Sequence, residues 1–155
     1  MDNAFMHEAI RQAVENARSG KGGPFGAVVV KDGRVVAAGT NLVTSSNDPT
    51  AHAEVIAIRE ACRVLGTFQL NGCEIYTSCE PCPMCLGAIY WARPDRVYFA
   101  ATASDAAEAG FDDSLIYEEL ERPLSNRKIP FEPMMREDGQ EPFREWKQNS
   151  DRVRY

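Results

Sequence analysis

The chain has 155 residues, 44% of them hydrophobic and 26% charged, with a net charge of −6. That size and composition suit one soluble globular domain with its own core and exclude a disulfide-stapled miniprotein. No apolar run nears the roughly 20 residues of a membrane span, and the acidic balance weighs against a nucleic acid as main partner, because phosphate contacts call for a basic footprint.

The opening MDNAFMHEAIRQ has early acids and no long apolar core, so it is not read as a secretory leader. A cytoplasmic location is expected. The next elements follow in order. Phe5, Ala9, Ile10, Ala13, Val14 and Ala17 recur at steps of three and four, which predicts an amphipathic helix over 4–18 ended by Gly20, Gly22 and Gly23. His7, within it, has no ligand-type partner nearby in sequence and reads as a surface residue. GGPFGAVVVKDGRVVAAGTN is two β-branched runs about Asp32–Gly33, the pattern of a tight hairpin. Both runs are apolar almost throughout, which suits strands covered on both faces. Phe25, at the mouth of the first strand, is either a core aromatic or a stacking surface near a pocket.

Asn41 opens a polar loop, NLVTSSNDPT, rich in turn formers. AHAEVIAIREACRVLG predicts a helix from about 52 to 65, stopped at Gly66. CEIYT reads as a short strand over 73–77, and SCEPCPMC turns into a helix over 83–92 that halts before Pro94. RVYFAA, 96–101, predicts a strand of parallel type. The stretch 105–121 holds seven acidic side chains and no Lys or Arg, and contains a loop and a short helix from about 113 to 121. An edge strand is expected over 129–135, restricted by two prolines, and a terminal helix over 141–148. This order predicts a single α/β domain over 1–155, a three-layer αβα sandwich. Its mixed five-stranded sheet has helices on both faces, and those from 52 and 83 lie side by side.

Five cysteines are present, three of them within seven residues. An odd number, clustered, suits metal or catalysis better than a disulfide framework. Cys62 and Cys73 read as small core residues. Cys82 and Cys85 stand three apart at a helix start, where both sulfurs can face one point and the helix N-terminus favours thiolate. His52 offers a nitrogen from another helix start. One His and two thiolates neutralise Zn²⁺ and leave the fourth tetrahedral position open, the pattern of a catalytic site. Cys79 competes as a fourth ligand of a closed, structural site, but a turn at Glu80–Pro81 separates it from Cys82. Glu54 lies two residues from His52, a separation of about 200° inside a helix. Only in a first turn can both approach one metal, with Glu54 then placed to exchange a proton with the bound water. A lone helical Glu is ordinarily a solvated charge; beside these three ligands it reads as a proton carrier.

HAE at 52–54 with PCPMC at 81–85 resembles the signature of the zinc nucleobase deaminases, the cytidine deaminase superfamily. The blocks GGPFGAVVVKDG, TSSNDPTAHAEV, YTSCEPCPMCLGAIYWARP and DAAEAGFDDSLIYEE are similar to those of its bacterial guanine deaminases. The resemblance implies hydrolytic deamination of guanine to xanthine and ammonia, with one Zn²⁺ per chain on His52, Cys82 and Cys85. Glu54 would pass protons from water to the ring nitrogen and leaving amine. It also implies that Asn41 and the Ala53 backbone contact the base, that Phe25 and Trp91 wall it, and that Asp113, with Asp112 as the alternative, accepts from its N–H edge. Tyr155 would close the pocket from a C-terminal segment, about 136–155, exchanged between the subunits of a homodimer. Deaminases of cytosine, aminotriazines or tRNA adenosine share the metal motif, and a zinc-folded binding module would share the cysteines without needing Glu54.

Overall fold

The structure, a computed structural model, describes residues 3–155. Met1 and Asp2, the first residues of the stretch read for a leader, lie outside them. The chain divides into two compact units, one ending at Asp113 and one running Ser114–Tyr155.

In the first unit, α1 (Ala4–Ser19) begins where the Asn3 side chain accepts from the N–H groups of Phe5 and Met6, at 3.0 and 3.2 Å. It ends at left-handed Gly20. β1 (Gly26–Lys31) and β2 (Arg34–Thr40) turn at Asp32 and Gly33, both at positive φ, as a two-residue hairpin loop requires. A short α2 (Val43–Ser46) precedes α3 (Ala53–Leu65), which closes on Gly66. β3 (Cys73–Cys79), α4 (Pro83–Ala92) and β4 (Arg96–Ala101) form a β-α-β crossover, followed by α5 (Ala103–Glu108). In the second unit, α6 (Ser114–Glu121) and α7 (Glu141–Gln148) are joined by a segment with two single turns of 3₁₀ helix. Arg127 Nε and the Lys128 N–H both bond Glu119, at 3.0 and 2.8 Å, and tie that segment back to α6.

Among the described residues the sheet has four strands, in the order β2-β1-β3-β4. β1 is antiparallel to both neighbours, and β3 and β4 are parallel. The expected fifth strand over 129–135 does not form; that segment has no regular structure. Pro130 and Pro133 withhold two of its ladder donors, which outweighs its apolar pattern. β2 is also not covered on both faces as expected: it is a margin strand with exposed positions, whereas β1 is buried almost throughout.

Side chains divide between the faces with a period of two. Val28, Val30 and Tyr76 face α1 and meet Ala9. Ala27, Val29 and Ile75 face the other way, against Ala53, Ala57 and Ala61 of α3 and Ile89 of α4. Each fully buried Val or Ile contributes about 1.5–3 kcal/mol. α3 can lie so close to the sheet because Gly39 has no side chain. A Cβ there would stand 2.3 Å from Ala53 O and 2.6 Å from Ala57 N.

The register gathers several chain reversals on one rim. Gly26 pairs with Thr40, Ala27 with Thr77, and Cys79 with Ala101. The start of β1 and the ends of β2, β3 and β4 therefore lie together, the carboxyl ends at which open α/β sheets bind ligands. Among the described residues no helix is long and apolar enough to cross a membrane.

Gly39→Ala is expected to destabilise the fold by about 1–3 kcal/mol, because the added methyl meets helix backbone. The readout is a lower urea midpoint at an unchanged m value; an unshifted midpoint contradicts the close packing of α3.

Candidate metal centre and active site

Two helix starts converge on the rim. His52 is the N-cap of α3 in extended backbone, φ −73° and ψ 156°. It therefore stands outside the helical spiral, which removes the 200° separation from Glu54 that a helix interior would impose. Cys82 is the N-cap of α4, likewise extended, with Pro83 in the first turn and its Sγ accepting from the Cys85 N–H at 3.5 Å. His52 Nδ1 lies 3.5 Å from the sulfurs of both Cys82 and Cys85. The three donor atoms lie within 4.8 Å of one another, close enough to share one coordination sphere.

Glu54, in the first turn of α3, is 6% exposed. Its Oε2 is 3.3 Å from Cys85 Sγ, and its Oε1 accepts from the Thr77 hydroxyl at 3.2 Å. Burial, first, raises the Glu54 carboxyl above the ordinary carboxylate range. The Cys82 thiol is lowered to about 4, first by the hydrogen bond from Cys85 and then by His52. Cys85 is raised, first by that same bond and then by burial. Cys82 is thus the readier thiolate of the two, and its hydrogen bond is the first cause that raises His52. Such a group sheds protons when a cation enters it.

An imidazole and two sulfurs fit zinc, and three ligands leave a position open. Cys79, the competing fourth ligand, is turned elsewhere. Its Sγ is 3.6 Å from Thr102 O, and burial pushes its thiol up to about 11. Cys73 is fully buried, and Cys62 is partly buried against the same core.

The residues expected to meet a base are distributed unevenly. Asn41 is buried, and its Oδ1 accepts from Gly23 N at 3.3 Å and Val43 N at 3.2 Å. Those two donors fix which end of the amide is oxygen and leave Nδ2 as the end able to donate. Ala53 is the first residue of α3, so its N–H has no partner within the helix. Phe25 is half-buried against the core and packs edge-on to Phe111 with ring centroids 5.0 Å apart. Asp113 is half-buried and Asp112 exposed. Burial raises the Asp113 carboxyl, with Cys82 contributing, so Asp113 is the inward member of the pair. Trp91 lies apart: six residues beyond Cys85, it is on another face of α4 and 64% exposed. Tyr155 ends the second unit, exposed.

The sequence profile of the cytidine and deoxycytidylate deaminase zinc-binding region matches residues 1–101. The chain belongs to this deaminase family. It is 57% identical over 151 residues to guanine deaminase of Bacillus subtilis (strain 168), 97% of each chain. The X-ray structure of guanine deaminase from Bacillus subtilis superposes with a TM-score of 0.97 at 56% identity, covering 100% of this chain and 99% of that one. The tRNA-specific adenosine deaminase of Aquifex aeolicus (strain VF5) is 37% identical over 137 residues, 88% of this chain and 87% of its own.

Three polar residues that support this deaminase site were missed in the sequence. Thr77 holds Glu54 and also lies 3.1 Å from Cys79 O; its position in the Ile75, Thr77, Cys79 alternation is the available signal. Ser78 Oγ accepts from Gly26 N at 3.1 Å, joining the start of β1 to the end of β3. Asn16 is buried on α1 in one stripe with Ala9 and Ala13.

Stripping zinc with a chelator is expected to lower Tm. A ligand held at a hundred times its Kd contributes about 2.7 kcal/mol, roughly 5–11 °C in a chain of this size. An unchanged Tm after verified metal removal contradicts metal binding by the folded state at His52, Cys82 and Cys85.

Proposed function

We propose that this chain hydrolyses guanine to xanthine and ammonia, with one zinc ion per chain on His52, Cys82 and Cys85 and with Glu54 as the proton carrier. One observation carries the chemistry: a carboxylate shielded from water stands 3.3 Å from a sulfur of a three-donor cluster. The choice of base rests on the likeness to guanine deaminase along nearly the whole chain.

Zinc, when bound, supplies a water acidic enough to lose a proton near neutral pH. Glu54 takes that proton at Oε2, the oxygen turned toward Cys85, while Thr77 holds Oε1. Glu54 then gives a proton to the ring nitrogen as oxygen adds at C2, the carbon bearing the amine. Glu54 then takes the proton of the hydroxyl added at C2 and gives it to the amine, so that the C2–N bond breaks as C2=O forms and ammonia leaves. Burial keeps Glu54's proton affinity high enough for this two-way traffic.

Guanine offers acceptors at O6 and N7 and donors at N1 and the 2-amine. Asn41 Nδ2 and the Ala53 N–H match the acceptors, Asp113 matches the donor edge, and Phe25 covers one ring face. The exposed apolar side chains of the second unit, among them Phe131, Met134, Met135 and Trp146, support a homodimer in which residues 136–155 are exchanged. Tyr155 then closes a neighbour's pocket. Trp91, on the outward face of α4, reaches the base of a neighbouring copy. The enzyme is read as cytoplasmic and as acting in purine breakdown.

Purified protein and its Asp113→Asn variant, offered guanine, cytosine, adenine, their nucleosides, ammeline and tRNA, provide the test through ammonia release. Guanine is expected to be the substrate turned over best. Asp113→Asn is expected to lose roughly tenfold or more in kcat/KM for it, the equivalent of about 1.4 kcal/mol or more. Inert guanine beside another active base overturns the substrate, and an unaffected variant removes Asp113 from the site.

A further inference from the structure

Asn16 is a polar residue where α1 should be apolar. It is 4% exposed and shares the buried stripe with Ala9 and Ala13. Its Nδ2 donates to two backbone carbonyls, Gly23 O and Asn41 O, each at 2.8 Å. Two carbonyl partners identify that end of the amide as the nitrogen, and each takes one of its two hydrogens. The carbonyls belong to segments far apart in sequence: the glycine loop before β1, and the residue after β2.

The bonds around this amide form a closed set. Gly23 N donates to Asn41 Oδ1 at 3.3 Å, and Asn41 N donates to Phe25 O at 3.2 Å. Gly22 fits only because it has no side chain; a Cβ there would lie 1.9 Å from Asn41 O. Asn41 and Phe25 are thus held by one hub that touches neither the metal ligands nor Glu54. Removing the hub leaves two carbonyls without their donor in a buried place and frees the loop to shift.

We infer that Asn16 is a positioning residue for base recognition, its side-chain amide locking Asn41 and the Gly22–Phe25 loop into one rigid reader of the base. This rests on the assignment of Asn41 as a contact to the base. The zinc ligands and Glu54 lie on other elements, so the effect belongs to binding and orientation. Misplacing a recognition group by about 1 Å costs on the order of a hundredfold in rate.

A double-mutant cycle on zinc-loaded protein separates this role from a general strut. Asn16→Asp keeps the shape and removes both donors; Asn16→Ala removes them while favouring the helix. Each is combined with Asn41→Ala, with zinc content and Tm recorded beside kcat and KM for guanine. The expected result is a loss of roughly ten- to hundredfold in kcat/KM, mostly through KM, at unchanged zinc. The double variant should then be no worse than Asn41→Ala alone. Losses that multiply in the double variant, or folded Asn16 variants with unchanged kcat/KM, overturn the inference while the function stands. Failure of both Asn16 variants to fold makes the amide a structural strut and also overturns it. A silent Asn41→Ala removes the base contact itself, and this inference with it.

Discussion

Two helices have to begin at one point in space. α3 must present His52 and Glu54, and α4 must present Cys82 and Cys85, so that Nδ1 stands 3.5 Å from both sulfurs. Neither helix can arrange this alone. α3 is set by its contact with β2, where Gly39 admits helix backbone, and α4 by its place between parallel β3 and β4. The N-cap positions matter as much as the helices. An extended residue before a helix aims its side chain past the helix end, while the first-turn residue aims beside it. That is why His52 and Glu54, only two residues apart, share one site.

The same convergence sets the electrostatics. Helix N-termini favour negative groups, and here they collect sulfurs and a carboxylate in a place screened from water. Burial raises the Glu54 carboxyl and the bond to Cys82 raises the Cys85 thiol, so both bind a proton more tightly than they would in water. The arrangement is costly as a purely structural feature and useful as a metal site beside a proton carrier. The sheet rim adds the remaining parts, since the register that aligns Thr40 with Gly26 also brings Asn41 and Phe25 to the same end.

Much of this was legible in the sequence where local rules are strong. α4 spans 83–92, as the prolines flanking it predicted, and β4 and α7 also kept their expected limits. The Cys82–Cys85 pair was legible because Cys spacing at a helix start is a local property, whereas only the fold brings His52 beside it. What failed depended on tertiary context. Residues 129–135 have a strand's apolar content, but Pro130 and Pro133 leave too few donors for a ladder. α2 and α5 are too short to show periodicity. On α1, Asn16 is buried beside Ala9 and Ala13, while Ile10 and Val14 of the periodic apolar set are partly exposed; the helix turns a hydrogen-bonding face to the loops it must hold.

The account stands on Glu54 acting beside a metal it does not bind. The most direct measurement is Glu54→Gln, with zinc per chain and guanine-dependent ammonia release determined on one preparation. The amide keeps the shape and can still accept from Thr77, but it carries no transferable proton. About one zinc per chain should remain while turnover falls by roughly 10²–10⁴-fold, the usual worth of a general acid–base group. Turnover within a few-fold of the unaltered protein, with zinc in place, would contradict the account.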